Sequence, residues 1–289
     1  MNDQKTNQLK LEYLYSYKRS LELWPENTLS YYVNTTHGKT FILECGEKSN
    51  PPLVLLHGAK MSSTMWFPNV ASWSKNYRVI CIDILGDNNR SIMNRNFSDR
   101  ASYAYWLLEI LNEMQLKKIN LIGLSYGALH TVNFISLAPD RVEKAVIMSP
   151  AATYIPFDNI FYTYAFDLVR SEEGVNRFFS WIFKDRYSVP TLIRSQMEAA
   201  MRLNESKTTS PNKEGFPYIF TDKELARIQT PILLMLGECE VMYDSKKAYS
   251  RALHSSPNIT VEMVTGVGHI MSMENPEFIN KRVLLYLDN

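Results

Sequence analysis

A hydroxyl, an imidazole and a carboxylate suffice to build a covalent catalyst, and this chain presents all three in a telling order. Gly123-Leu124-Ser125-Tyr126-Gly127 follows a short apolar run, Ile119 to Ile122, and precedes a stretch of helical spacing, Ala128 to Leu137. A G-x-S-x-G pentapeptide alone is weak, because Gly and Ser are common loop residues. Between a strand and a helix it is the nucleophile elbow. The serine there sits on a turn sharp enough to strain its backbone. Its neighbours two before and two after must lack side chains, or strand and helix collide. Gly123 and Gly127 meet that demand, and the helix N-terminus turns partial positive charge toward the hydroxyl.

A serine hydroxyl is a poor nucleophile without a base. Of the five histidines, His269 is the best placed, in Thr265-Gly266-Val267-Gly268-His269, the loop leaving the last strand. Ligands of open α/β sheets bind at that carboxyl edge, where the elbow also opens. His130 lies five residues beyond Ser125 on one helix and cannot easily turn back. His254 closes a helix, His37 sits in a hairpin turn, and His57 opens a tight Gly loop that it is expected to brace. The base needs an acid to fix its tautomer. Leu236-Gly237-Glu238-Cys239-Glu240-Val241-Met242-Tyr243-Asp244 follows a buried strand. Glu240 is the chosen acid. Asp244 is the alternative, although it reads better as the N-cap of the next helix, and Glu238 lies near enough to reach. Donors for a developing oxyanion are expected at the N–H groups of Tyr126 and of Ala59, in the loop after the first buried strand.

The elements that position these residues follow from the apolar pattern. Leu9 to Leu23 carries a loose amphipathic stripe, stopped by Pro25 and expected to cover the sheet. Tyr31 to Val33 and Thr40 to Cys45 read as strands about a turn at His37-Gly38. Leu53-Val54-Leu55-Leu56, Arg78 to Ile84, Ile119 to Leu124 and Lys144 to Met148 are strands of a buried sheet. Helices at Ser62 to Lys75, Asp99 to Gln115 and 127–138 alternate with them. This alternation predicts an α/β fold with a doubly wound, mostly parallel sheet. The rhythm stops over 151–221, which holds helical segments dense in aromatics, Phe166 and Phe178 among them, and a loop from Ser206 to Pro217. It resumes at Ile232 to Leu236 and Thr260 to Val264, with capping signals at Thr221, Asp244 and Asn275-Pro276. The expected organisation is a core of 1–150 and 222–289 with a helical cap, 151–221, inserted in the same domain.

Composition limits the partners. Over 289 residues the net charge is +1, which gives no field for nucleic acid or an anionic membrane surface. No stretch approaches the ~18 apolar residues of a membrane span, and the polar start, Met1-Asn2-Asp3-Gln4-Lys5, lacks a signal-peptide core. Three scattered cysteines have no metal spacing. The expectation is a cytoplasmic protein of unassigned oligomeric state acting on a small molecule, with neither metal nor cofactor.

Leu55-Leu56-His57-Gly58, Gly123-Leu124-Ser125-Tyr126-Gly127, Gly237-x-x-Glu240 and Gly268-His269 occur in this order and at these places in the sheet. The chain resembles α/β-hydrolases of the esterase-like branch from the first strand to Leu287. More narrowly, Ser63-Thr64-Met65-Trp66, Gly215-Phe216-Pro217-Tyr218 and Tyr243-Asp244 are similar to carboxylesterases from Bacillus-type bacteria. The resemblance implies a cap between the sixth and seventh strands and hydrolysis of carboxylic esters without metal or cofactor. The family at large mostly has Asp where Glu240 stands, and more glycines than Asp83-Ile84-Leu85-Gly86-Asp87-Asn88-Asn89-Arg90-Ser91 after the fourth strand. The substrate expected is a small to medium, mainly apolar ester, its acyl chain held by Met61, Met65, Trp66, Phe157 and Phe161. The same machinery acting on a thioester, lactone or carbon–carbon bond stays open, as does a ligand-binding member of the fold without turnover.

Overall fold

A computed structural model describes residues 3–87, 89–164, 172–205 and 216–289. Phe166, Asn88, Gly215 and most of the expected Ser206–Pro217 loop lie outside the described residues. The strands are β1 (Leu29–Thr35), β2 (Gly38–Cys45), β3 (Pro52–Leu56), β4 (Arg78–Ile82), β5 (Ile92–Met93), β6 (Ile119–Leu124), β7 (Val142–Met148), β8 (Ile232–Gly237) and β9 (Ile259–Val264). They form one sheet in the order β1-β2-β4-β3-β6-β7-β8-β9, with β5 pairing β2 beside it. From β4 onward along this order every pair is parallel; β1–β2 and β2–β4 are antiparallel.

The apolar runs explain the centre of the sheet. Leu53 to Leu56 are fully buried, as are Val79 to Ile82. Side chains hidden on both faces let a strand read as a continuous hydrophobic run, and each such Leu, Val or Ile stabilises the fold by about 1.5–3 kcal/mol. After β3 the chain adds β4 on one side, then crosses to add β6 on the other. The loops leaving β3 and β6 therefore diverge from neighbouring strands, the arrangement that opens a crevice at a sheet's carboxyl edge.

Helices α1 (Asp3–Ser20), α2 (Phe67–Trp73), α3 (Arg100–Glu113) and α4 (Tyr126–Leu137) precede or flank this centre. The N-terminus of α3 carries a capping box, Asp99 accepting from the Ser102 N–H. The helix expected over Ser62 to Lys75 is shorter: Ser63–Trp66 form a 3-10 turn, and α2 starts only at Phe67, with Pro68 in its first turn. Proline lacks the N–H a preceding turn of helix would need, so the break falls there.

Between β7 and β8 the chain makes α5 (Asn159–Tyr162), α6 (Glu172–Phe183), α7 (Thr191–Glu205) and the turn α8 (Asp222–Leu225). The two ends of this insertion meet: Phe220 N–H donates to the Thr153 carbonyl at 3.0 Å. Arg251, on α9 (Ser245–Ser255), clasps the same neck. Its guanidinium donates to the Tyr154 carbonyl, to the Phe220 carbonyl at 2.6 Å and to the Asp222 carboxylate at 2.8 Å. The chain closes with α10 (Met271–Glu274) and α11 (Pro276–Asp288), the latter capped by Asn275.

The N-terminal helix departs from the expected role of sheet cover alone. Tyr17 does pack edge-on against Phe41 of β2, but α1 also lies against α7 of the insertion, and Ser20 Oγ donates to the Leu192 carbonyl at 3.1 Å. The apolar stripe is only partly used, since Tyr13 and Tyr17 are buried while Leu11 and Tyr15 stay exposed. Gln196 of α7 completes this junction. It is buried, donates to Ser62 Oγ at 2.7 Å and accepts from Thr64 Oγ1 at 2.8 Å. Among the described residues no helix is long and apolar enough to cross a membrane.

Candidate active site

Ser125 joins β6 to α4 with φ +56° and ψ −113°. A non-glycine residue there stores on the order of 1–3 kcal/mol of strain, which persists only where the surroundings enforce it. The enforcement is visible. Ser125 N–H donates to the Met148 carbonyl at 2.9 Å, and its own carbonyl accepts from Leu129 and Ala151. A Cβ on Gly123 would lie 2.3 Å from the Gly127 carbonyl oxygen, and one on Gly127 would lie 2.1 Å from that of Leu56. Both positions need glycine because backbone passes within contact of backbone.

His269 follows β9 in a loop that brings its imidazole to the elbow. His269 Nε2 lies 2.8 Å from Ser125 Oγ, and Nδ1 lies 2.8 Å from Glu240 Oε2. The Glu240 side chain is fully buried and that of His269 is 2% exposed. Glu240 Oε1 accepts from the Val241 and Met242 N–H groups, each at 2.9 Å. The carboxylate is thus aimed by its own backbone. With the proton on Nδ1 facing Glu240, Nε2 is left to accept from the serine hydroxyl. The Tyr243 ring stands edge-on to His269, with centroids 6.4 Å apart. Burial, with the Glu240 carboxylate nearby, raises its phenol well above the usual range.

The other carboxylates of this loop are committed elsewhere. Asp244 accepts from the Lys246 and Lys247 N–H groups as the N-cap of α9, and Glu238 accepts from the Gly266 N–H at 3.1 Å. The other histidines are likewise occupied. His57 is fully buried; its Nε2 accepts from the Ile84 N–H at 2.9 Å, and Nδ1 faces the Gly58 carbonyl at 2.8 Å. It ties the loop after β3 to the loop after β4. His37 stacks on Phe97, and His254 bonds the Ser250 carbonyl in the last turn of α9.

The loop His57-Gly58-Ala59 runs beside the elbow: a Cβ on Gly58 would meet Ser125 Cβ at 3.6 Å. The β3 loop, which carries Ala59, and the start of α4, which carries Tyr126, therefore both adjoin Ser125. Met61 and Met65 line a small cavity together with Lys60, Gln196 and Met197, from the β3 loop and α7. Trp66 lies outside that lining, fully buried with its ring 5.9 Å from Trp73. Phe157 and Phe161 stack on each other at 4.1 Å, next to the acid loop, where Asp158 N–H donates to the Met242 carbonyl. Among the described residues no group of three His, Cys, Asp or Glu side chains is placed to hold a metal ion.

His130 is a packing residue behind the elbow. Its ring meets Tyr126 at 4.3 Å, Tyr103 at 4.7 Å and Phe216 at 4.8 Å. Burial, with His57 as a smaller cause, lowers its pKa to about 3. An unfolded histidine binds a proton below about 6.5. Between that pH and about 3 the unfolded chain takes up a proton that the folded site refuses, so stability falls as pH falls through this window. His130→Leu should remove up to about 1.4 kcal/mol per pH unit of that slope. Urea unfolding at a series of pH values from 7 to 4 measures it.

Three residues of the site region carry little sequence signal. Arg186, Glu274 and Gln196 are polar positions of ordinary helices and turns, and their partners lie far away in sequence. A polar residue on the apolar side of an otherwise periodic stretch, as Gln196 is between Ile193 and Ala200, is the one hint available.

This fold has counterparts among known proteins. The chain belongs to the alpha/beta hydrolase fold family, whose model matches residues 51–276. Within it, the chain is similar to carboxylesterases of Bacillus. It is 43% identical to the uncharacterised carboxylesterase nap of Bacillus subtilis over 279 residues, 96% of this chain and 93% of that one. It is 42% identical to carboxylesterase YbfK of the same organism over 278 residues, 96% of this chain and 94% of the other. The crystal structure of naproxen esterase from Bacillus subtilis superposes with a TM-score of 0.92 at 43% identity, covering 96% of this chain and 97% of that chain.

Proposed function

We propose that this protein is a carboxylesterase that works through an acyl-enzyme on Ser125. The observation that carries the reading is the unbroken hydrogen-bond chain from Glu240 through His269 to Ser125, buried at the carboxyl edge of the sheet. The likeness to Bacillus carboxylesterases over almost the whole chain supports the ester as substrate.

In the cycle, His269 takes the proton from Ser125 Oγ as the oxygen attacks the ester carbonyl. The N–H groups of Ala59 and Tyr126 receive the oxyanion, each worth on the order of 3 kcal/mol to the transition state. The tetrahedral intermediate collapses, and His269 returns the proton to the leaving alcohol. Water then enters, gives its proton to His269 and hydrolyses the acyl-enzyme, freeing the acid and Ser125. Glu240 remains ionised throughout and holds the imidazolium in place. The helices of 151–221 act as a cap, and the apolar side chains of the β3 loop and beside the acid loop, Met61, Met65, Phe157 and Phe161, favour a small to medium, mainly apolar acyl chain.

The test is hydrolysis of p-nitrophenyl esters of increasing acyl length by wild type and Ser125→Ala. The expected result is a chain-length optimum in wild type and a fall of about 10⁴-fold or more in kcat for the variant. A folded wild type that cleaves none of the esters, yet is labelled at Ser125 by a fluorophosphonate, would shift the reading to thioester or carbon–carbon substrates.

A further inference from the structure

The loop that carries His269 is held from outside the trio. Glu274, the last residue of α10's single turn, folds its carboxylate back onto the loop. Its Oε2 accepts from the Gly268 N–H at 3.0 Å and from Arg186 Nε at 2.8 Å. The Glu274 side chain is 1% exposed, so its charge has left water almost completely. A carboxylate in that position is tolerable only with a counter-charge and hydrogen bonds in place. Arg186 supplies the charge, and it comes from the insertion, beyond the end of α6.

The path that brings Arg186 there is strained. Lys184 and Asp185 both adopt positive φ, 44° and 62°, a region that non-glycine residues enter at a cost. Two in succession reverse the chain at the end of α6 and turn Arg186 back toward the sheet. Its Nη2 donates to the Ile182 carbonyl at 2.9 Å, which fixes the guanidinium plane. The guanidinium then lies against the histidine loop: a Cβ on Gly268 would sit 2.3 Å from Arg186 Nη2. Gly268 is therefore bare on the side that the guanidinium occupies, one residue before His269.

We propose that Arg186 and Glu274 are positioning residues that hold the His269 loop in register from the insertion, Arg186 acting through the Glu274 carboxylate on the Gly268 amide. Neither touches the reacting atoms. Their effect is on how well His269 Nε2 stays aligned with Ser125 Oγ, so they act on kcat and not on the affinity for the acyl chain. The proposal rests on the reading of Ser125, His269 and Glu240 as the catalytic trio.

The experiment measures kcat and KM on a p-nitrophenyl ester, together with the second-order rate of Ser125 labelling by a fluorophosphonate, in Arg186→Gln, Glu274→Gln and the double variant. Arg186→Gln should lower kcat and the labelling rate in parallel by about tenfold or more with KM nearly unchanged, because misalignment removes transition-state stabilisation. In the Glu274→Gln background the same replacement should cost less than about threefold, the non-additivity of contacting residues in one network. Arg186→Lys keeps a charge beside Glu274 without the planar fork. It should fold and show an intermediate loss, which keeps the test decisive if Arg186→Gln does not fold. Wild-type labelling rates in folded single variants, or additive losses in the double variant, would overturn the proposal. A wild type that neither hydrolyses esters nor takes the label would instead remove the esterase reading, and the positioning role with it.

Discussion

Glu240→Gln should lower kcat by about 10⁴-fold while leaving the fold intact, on the scale seen when a triad acid is made neutral. The size follows from how Glu240 is held. Its Oε1 already accepts two backbone N–H groups, from Val241 and Met242. A glutamine must keep its carbonyl oxygen there, so its NH₂ group takes the place of Oε2 and points at His269 Nδ1. Two donors cannot face each other, and the imidazole moves its proton to Nε2. From that tautomer it cannot accept the hydroxyl proton of Ser125. KM should change little, because the exchange is isosteric and removes an interaction of the transition state. Asp244→Asn is the matched control. Asn caps a helix as well as Asp does, so activity should stay within about twofold of wild type on the surface-substitution scale. Steady-state kinetics of the pair on one ester settle the acid: loss of activity in Asp244→Asn with retention in Glu240→Gln would reverse the assignment.

Gly127→Ala should disrupt the fold severely. The added Cβ would lie 2.1 Å from the Leu56 carbonyl oxygen and 2.7 Å from that of His57. Neither is a flexible side-chain end. Both belong to the end of β3, which is buried from Leu53 to Leu56, and to the loop that carries Ala59. Relief requires α4 to lift from the sheet or the β3 loop to move away from Ser125. The first breaks the packing of a helix buried from Gly127 to Ile135, and the second displaces one of the proposed oxyanion donors. Losses above about 4 kcal/mol come from a short list of causes that includes such backbone and core collisions, and this variant should fall in that class or fail to fold. Gly266→Ala separates space from conformation. Nothing lies within 4 Å of its Cβ, but its φ is +74°, so the expected cost is about 1 kcal/mol. Urea midpoints of the two variants beside wild type compare the effects directly. A Gly127→Ala protein as stable as Gly266→Ala would mean the elbow is not packed as described.

What was legible in the sequence divides along a physical line. The strand–turn–helix context of Ser125 could be read because close backbone approach leaves a visible mark, a glycine at fixed distance on either side. The caps could be read because Thr221, Asp244 and Asn275 satisfy N–H groups only two or three residues away. The central strands could be read because burial on both faces leaves a continuous apolar run such as Leu53 to Leu56. Contacts without a local constraint left no mark. The docking of α1 on α7, the link of Gln196 to Ser62 across 134 positions and the pairing of Arg186 with Glu274 across 88 depend on where whole elements come to rest. The extent of the second helix was misread for a smaller reason. The apolar positions continue through Trp66, and only Pro68 marks the change from 3-10 to α geometry.

The neck at Thr153 and Phe220 bears on the protein's history. Both ends of the insertion leave the sheet edge side by side, joined by one backbone hydrogen bond and one arginine. A segment attached in this way can be lengthened, shortened or replaced by recombination without altering any strand register. The entropic cost of a longer loop grows only logarithmically, about 0.6 kcal/mol for each doubling. Substrate range could therefore drift quickly while the sheet and its carboxyl edge stayed unchanged. Among its contacts with the rest of the chain, a transplanted segment would inherit the need for a cation where Arg186 meets Glu274 and an amide where Gln196 meets Ser62. Lineages that exchange this part of the chain should be found to keep those two contacts or to lose both partners together.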